Sequence, residues 1–364
     1  MSDKIHLFEA RTEGYRTYRV PGILTTESGV LIGTAEARRG QGGDWDGNDI
    51  VARRSDDGGK TWGPLQTYVS CDDYGPGPIS NFVMISDRDD GQVQTLFCHN
   101  YARVFSIRSD DDGETWSDPV EVTEMFELFR EHYPWKVIAT GPGHGIQLKN
   151  GRYIVPLWMS DGSGKEFGPG HLGHRPSEVA GVYSDDQGKT WQRSDILCRH
   201  GDGDVINPSE TLPLELSDGR VLFNIRTEAR THRRYISISP DGATGWSDPV
   251  TDDDLLEPVC MASILRLSDG SVVFANCDVL EHELTKSERV AHDRKRLTVK
   301  RSTDDCETWS ASRVIEPGPS SYSDMAQTPD GVVHCIHEDQ MVERQNDSKY
   351  VSVSSFDVDW ILGS

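Results

Sequence analysis

The sequence predicts an all-β fold, a propeller-like closed array of repeated antiparallel sheets, and three observations predict it. The first is an eight-residue phrase, Ser-x-Asp-x-Gly-x-Thr-Trp, that begins at Ser55, Ser109 and Ser184. Two worn copies follow: Ser302, Asp304, Thr308 and Trp309 with Cys306 in the glycine position, and Ser239, Asp241 and Trp246 with only the ends kept. Five occurrences along one chain mark a repeated supersecondary unit, one copy per blade or coil. The second observation is an alternating apolar run before each full copy, such as Val104-Phe105-Ser106-Ile107-Arg108, which reads as a strand entering a hairpin turn. The third is punctuation: 35 Gly and 18 Pro, with long helical patterns almost absent.

The composition of the phrase follows from turn chemistry. Asp and Ser bond nearby backbone, Gly supplies a positive φ, and Trp anchors the turn by burial. The phrase is therefore a folding device and carries no catalytic information. The segment Asp118 to Glu131, rich in Glu, Leu and Phe, predicts a short helix, and little else reads as helical. A length of 364 residues corresponds to two or three domains at about 150 residues each. The repeats overrule that prior, and residues 1–364 read as a single domain.

Thirty-seven basic against 60 acidic residues give a net charge of −23. Nucleic acid as a partner is disfavoured by that sign, because phosphate neutralisation requires an excess of Lys and Arg. The acidic excess reads first as a solubilising surface, and arginines in distinctive places raise the question of positive charge concentrated at one pocket. Seven cysteines, odd in number and without a CxxC pair, predict free, buried thiols in a reducing compartment. The start Met1-Ser2-Asp3-Lys4-Ile5-His6 lacks the apolar core of a signal peptide, and no 18-residue apolar run predicts a membrane span. The expectation is a cytoplasmic protein, with a secreted protein shorn of its leader as the alternative. His171, His174, His200 and His232 lack ligand-like spacing, so they read as solvated loop histidines and no metal is expected.

A repeated scaffold says little about function, so the informative segments are those the repeat does not require. They are Tyr18-Arg19-Val20-Pro21-Gly22-Ile23, then Ala35-Glu36-Ala37-Arg38-Arg39 with the Gly-rich run to Ile50. Further on come Asn207-Pro208-Ser209-Glu210, Asn224-Ile225-Arg226, Arg294-Lys295-Arg296 and Pro317 to Asp324.

These segments resemble those of the exo-sialidases, a family that releases terminal sialic acids and folds as a six-bladed β-propeller of four-stranded antiparallel sheets. Arg19-Val20-Pro21 is similar to the family's Arg-Ile-Pro signature, and the repeated phrase resembles its Asp boxes. Gly141-Pro142-Gly143-His144 and Tyr322-Ser323-Asp324 resemble further family segments. The likeness runs from Tyr18 to Glu338. It implies that Arg19, Arg226 and Arg294 clasp the substrate carboxylate, a task that suits planar, permanently charged guanidinium forks. It implies Tyr322 as nucleophile, Glu210 as its base and Asp44 as acid/base, with Asp46 and Asp49 as rivals of Asp44. Arg38 resembles a substrate-contacting arginine beside that loop, and Glu338 a glutamate that orients an arginine at the pocket floor. A tyrosine nucleophile has a physical rationale: a carboxylate attacking a carbon that already bears a carboxylate meets like-charge repulsion.

The chain also departs from the family. Ser80-Asn81-Phe82 stands where the family often has Asn-Pro, so Asn81 is a candidate substrate contact whose partner on the N-acyl arm is open. The Gly- and His-rich stretch from Trp158 to His174 reads as a lid or specificity loop. The implied activity is a retaining exo-α-sialidase on sialylated glycans, without cofactor. A glycosidase for Kdn or Kdo, and a non-catalytic sialoglycan-binding propeller, are the alternatives.

Overall fold

The computed structural model describes residues 4–280, 294–341 and 347–363. Its named strands pair antiparallel and form five open sheets in chain order. The first contains Thr17–Thr25, Leu31–Arg38, Asn48–Ser55 and Gln66–Val69, and the second begins with Ile79–Ser86 and Val93–His99. The third is centred on Tyr153–Ser160 and Ser177–Ser184, and the fourth on Val221–Ile225 and Arg233–Ser239. The fifth has seven strands, because the 17-residue strand Ala311–Gln327 pairs with Lys295–Ser302 through its first half and with Val333–Met341 through its second. Its far edge is the N-terminal strand Ile5–Glu9, paired with the C-terminal strand Ser348–Phe356. Chain ends thus share one sheet.

Apolar side chains pack between successive sheets. Ile32, Ile50 and Ala52 of the first meet Ile79, Phe82 and Phe97 of the second, and Ile154 and Val179 of the third meet Val221, Phe223 and Ile225 of the fourth. Leu7, Ile336 and Val353 of the last sheet pack on Ile23, Leu31 and Val51 of the first. The array therefore returns to its start. At its centre, buried Asp324 accepts the Ile23 N–H at 3.1 Å and the Ser263 hydroxyl at 3.0 Å, and shares a 2.7 Å bond with His144 Nδ1. One carboxylate joins segments nearly the whole chain apart.

The repeated phrase folds as its composition requires. In the third copy Ser184 Oγ accepts the Gly188 N–H at 2.8 Å, while Asp186 accepts the Thr190 N–H at 2.8 Å and its hydroxyl at 2.6 Å. Gly188 sits at φ 78°, and a Cβ there would come within 2.7 Å of Gln94 in the second sheet. Glycine answers both demands. In the worn copy Cys306 holds φ 71° and still donates its N–H to Ser302. The other worn copy closes one residue earlier, with the Thr244 N–H bonded to Asp241 at 2.9 Å. Replacing Asp186 by Ala is expected to lower the melting temperature by a few degrees and leave turnover unchanged, since only turn hydrogen bonds are lost. Paired calorimetry and rate measurements test this.

The expected helix is Thr123–Glu127, continued by a 3-10 turn Leu128–Glu131. A C-terminal helix, Val358–Leu362, was not expected; Asp357 caps its first turn and Gly363 ends it at φ 79°. All seven cysteines are free and buried. No helix among the described residues is long and apolar enough to cross a membrane.

Candidate active site

Glu210, Arg226 and Arg294 flank strand ends, Tyr322 and Glu338 lie within long strands, and local backbone distortions aim several of the site side chains. The pairing of Thr17–Thr25 slips between Arg19 and Gly22, that of Ile79–Ser86 between Ser80 and Val83, and that of Ala311–Gln327 between Ser320 and Ser323. These β-bulges fall at Arg19, Asn81 and Tyr322, and a bulge re-aims a side chain that a regular pleat would alternate away. Val20 and Val259, both β-branched, are held at φ 50° and 57°, and Asn81 and Asn207 at 56° and 46°. Positive φ at a branched residue is costly and concentrates at functional sites.

Three arginines converge on one phenol. The guanidinium carbons of Arg19, Arg226 and Arg294 lie 5.2, 5.9 and 5.2 Å from the centre of the Tyr322 ring, within cation–π range. Arg19 grips Glu338 through two bonds of 2.9 and 3.1 Å, and the Val20 N–H donates to the same carboxylate. Arg294 donates to the Ser321 hydroxyl at 3.2 Å and to the Val259 carbonyl at 2.6 Å. Arg226 donates to Glu210 and, at 2.8 Å, to the Tyr322 hydroxyl. The Tyr322 hydroxyl in turn donates to Glu210 Oε1. Residues 19, 210, 226, 294 and 322 form one connected cluster.

Residues 40–335 match the BNR repeat-like domain family. The chain belongs to the BNR-repeat sialidase family. A sialidase of Micromonospora viridifaciens is 30% identical over 353 residues, an alignment covering 90% of this chain and 50% of that protein. A Bacteroides fragilis sialidase is 25% identical over 320 residues and covered to 54%, so the chain spans about half the length of these relatives. Among solved structures, the Hadza microbial sialidase Hz136 matches with a TM-score of 0.79 at 24% identity, over 98% of this chain and 69% of that one. The likeness makes this a propeller-like fold.

In this sialidase-family chain the Gly-rich loop holds Asp44 against Arg38, whose Nη1 donates to Asp44 Oδ1 at 2.6 Å. The rivals of Asp44 have other partners. Asp46 accepts the N–H groups of Gln41 and Gly43 and so closes the loop. Asp49 accepts Tyr15 Oη, the Arg39 guanidinium and the Cys71 N–H. Asp44 alone of the three meets Arg38, and its side chain stays 31% exposed. Arg38 is fixed from behind by Glu36 at 2.7 Å, and Glu36 also accepts the Asn81 N–H at 3.0 Å. Asn81 thus stands beside the Asp44 loop through its backbone, and its carbonyl accepts the Thr140 hydroxyl at 2.7 Å.

Charges in the cluster oppose burial. Burial, with the Glu210 charge, pushes the Tyr322 phenol above its usual range, against the pull of Arg226, Arg294 and Arg19. The tyrosine is therefore neutral at rest. Burial also works to raise Asp44, but the charges of Arg38 and Arg19, joined by His174 only when its ring is protonated, outweigh it and hold the carboxyl well below the carboxylate range. For Glu338 the same contest goes to Arg19, and its carboxyl stays ionised.

One reading is corrected. His174 is not a solvated loop histidine: its ring packs within 4.4 Å of Phe167, 4.8 Å of Tyr101, 5.0 Å of Trp158 and 5.8 Å of Trp45. Its partner in sequence, His171, is exposed and stacks on Trp45. Three residues beside Asp44 escaped the sequence reading: Glu36, Tyr101 and His174. Glu36 carried a signal, since it lies two positions before Arg38 on one strand face. Tyr101 and His174 carried none, because packing alone brings them there. Among the described residues, no group of three His, Cys, Asp or Glu side chains is placed to hold a metal ion.

Proposed function

We propose that this chain is a retaining exo-α-sialidase. The convergence of three guanidinium groups over a phenol bonded to a glutamate is the observation that carries the reading. A terminal sialic acid bears one permanent anion, on the anomeric carbon itself, and Arg19, Arg226 and Arg294 offer it three fixed cations. Tyr322 sits below that point. In the first step its oxygen bonds to the anomeric carbon as its proton passes to Glu210, while Asp44, protonated, gives its proton to the departing glycosidic oxygen. In the second step Asp44 takes a proton from water, the hydroxide oxygen bonds to the anomeric carbon, and Tyr322 leaves and regains its proton from Glu210. No cofactor enters either step.

Protonating Asp44 is the demanding part, because Arg38 and Arg19 hold it ionised. The substrate carboxylate supplies the remedy. Once it offsets the arginine charge, Asp44 loses part of the attraction that keeps it a carboxylate.

We also infer that the array has six blades. In support, the long strand Ala311–Gln327 changes partner midway, which divides the seven-stranded sheet into two units of four, adding to the four other sheets.

Sialic acid release from a sialylated oligosaccharide, identified by mass spectrometry, tests the activity, and parallel aryl glycosides of Kdn and Kdo test the choice of sugar. Asp44→Ala is expected to lose on the order of 10²–10³ in kcat/KM, which reports the first step alone, on a sialyl-galactoside. On a 4-nitrophenyl sialoside, whose leaving group departs without a proton, the loss is expected to be small. Equal losses on both substrates would remove Asp44 from the acid role.

A further inference from the structure

The Gly- and His-rich segment is a fixed wall beside Asp44. The His174 N–H donates to Glu166 Oε1 at 2.7 Å, and Arg175 bonds Glu166 at 3.1 Å and Glu228 Oε1 at 2.7 Å. Glu228 is itself held by the Asn207 amide at 2.8 Å, and Asn207 lies three residues before Glu210 on the segment that leads to it. The loop is thereby tied to the backbone that carries the base. From its end, the His174 ring reaches into an aromatic box whose Trp45 directly follows Asp44. Tyr101, on the other side of the box, feels the charges of Asp44, Glu36 and Arg38. His174 Nε2 is buried and has no hydrogen-bond partner among the described residues.

A buried imidazole nitrogen without a partner is costly, and a packing residue such as Phe would fill an aromatic box without that cost. We infer that His174 is a positioning residue for the acid/base step: a neutral imidazole that flanks Asp44 without adding a third cation to Arg38 and Arg19. The inference rests on Asp44 being the acid/base.

The charged groups that face His174 are Asp44, Glu166 and Glu210, which favour its protonation, and Arg175, which opposes it. Burial outweighs the carboxylates and draws the imidazole down to about 4. Above that pH the ring is neutral and Asp44 has only the arginines to contend with. Below it the ring becomes a cation, which disfavours the protonated Asp44 that the leaving group requires. Activity therefore falls on acidification through the imidazole.

The test is the pH profile of His174→Gln, which keeps a polar side chain but does not ionise, with His174→Phe as a second variant that fills the box. On a sialyl-galactoside the ratio of kcat/KM at pH 3.5 to kcat/KM at pH 6 should rise about threefold over the parent, with the alkaline limb unmoved. On the 4-nitrophenyl sialoside the ratio should not change. Superimposable normalised profiles, or one uniform loss at every pH on both substrates, would overturn the inference and leave His174 a packing residue. Asp44→Ala, run alongside, separates the two failures. If its loss depends on the leaving group while the His174 profiles coincide, only the role of His174 falls; if its loss does not, the acid/base assignment falls and this inference with it.

Discussion

Tyr322→Phe is expected to lose on the order of 10³ in kcat on an aryl sialoside while keeping its fold. The single atom removed is the one that bonds both Glu210 and Arg226. Stability should change little, because Glu210 and Arg226 still pair directly when the hydroxyl is gone. The ring stays beneath the guanidinium groups, so substrate binding should persist and the loss should fall on kcat rather than KM. The neutral phenol makes the result sharper. Burial and Glu210 keep it protonated, so it attacks only by handing its proton to a base, and Glu210→Gln should reproduce most of the loss. Single-turnover rates, with trapping of a glycosyl adduct by a fluorinated sialoside in the parent chain, supply the measurement. Full turnover by the phenylalanine variant would sink the nucleophile assignment.

The residues whose chemistry is local were legible in the sequence. A Ser, an Asp, a Gly and a Thr at fixed offsets satisfy one turn between them, and the turn forms wherever that set occurs, even where Cys306 takes the glycine place at φ 71°. Arg19, Arg226 and Arg294 were legible for a different reason. Only the resemblance to the exo-sialidases singled them out, because each alone reads in the sequence as a surface ion-pair arginine. Bulges left no such trace. Val20 at φ 50° reads in the sequence as an ordinary strand residue, and only pairing with its neighbours forces the slip that aims Arg19. His174 failed in the same way: a Gly-rich context reads as solvent, and the aromatic box that encloses the ring is completed by Tyr101 and Trp45, far away in sequence. The seven-stranded sheet shows the limit from the other side: Pro317-Gly318-Pro319 stands where the partner of Ala311–Gln327 changes, yet reads in the sequence only as a break in the run.

Glu338→Gln is the second large effect, and it separates binding from chemistry. Glu338 is fully buried, and it is the carboxylate that Arg19 grips with two bonds. The substitution keeps the shape and removes the charge, which leaves the Arg19 guanidinium, itself 7% exposed, without its compensating anion. Breaking a buried pair on one side costs about 3–5 kcal/mol, so the melting temperature should fall by several degrees. The carboxyl is held below its ordinary value by Arg19 against burial. A depressed folded-state value means that its contribution is fully present above the unfolded value of about 4.3 and is lost as pH falls through the lower, folded one. The stability gap between parent and variant should therefore be wide at pH 7 and narrow below about pH 4. An Arg19 freed from its clamp also meets the substrate carboxylate in more than one orientation, and kcat/KM should drop by about tenfold or more, mostly through KM. Urea titrations across pH, run beside steady-state kinetics, read both consequences. A gap that stays constant across that range would mean that the charge of Glu338 is not what secures Arg19, and the guanidinium would owe its place to the bulge at Val20 instead.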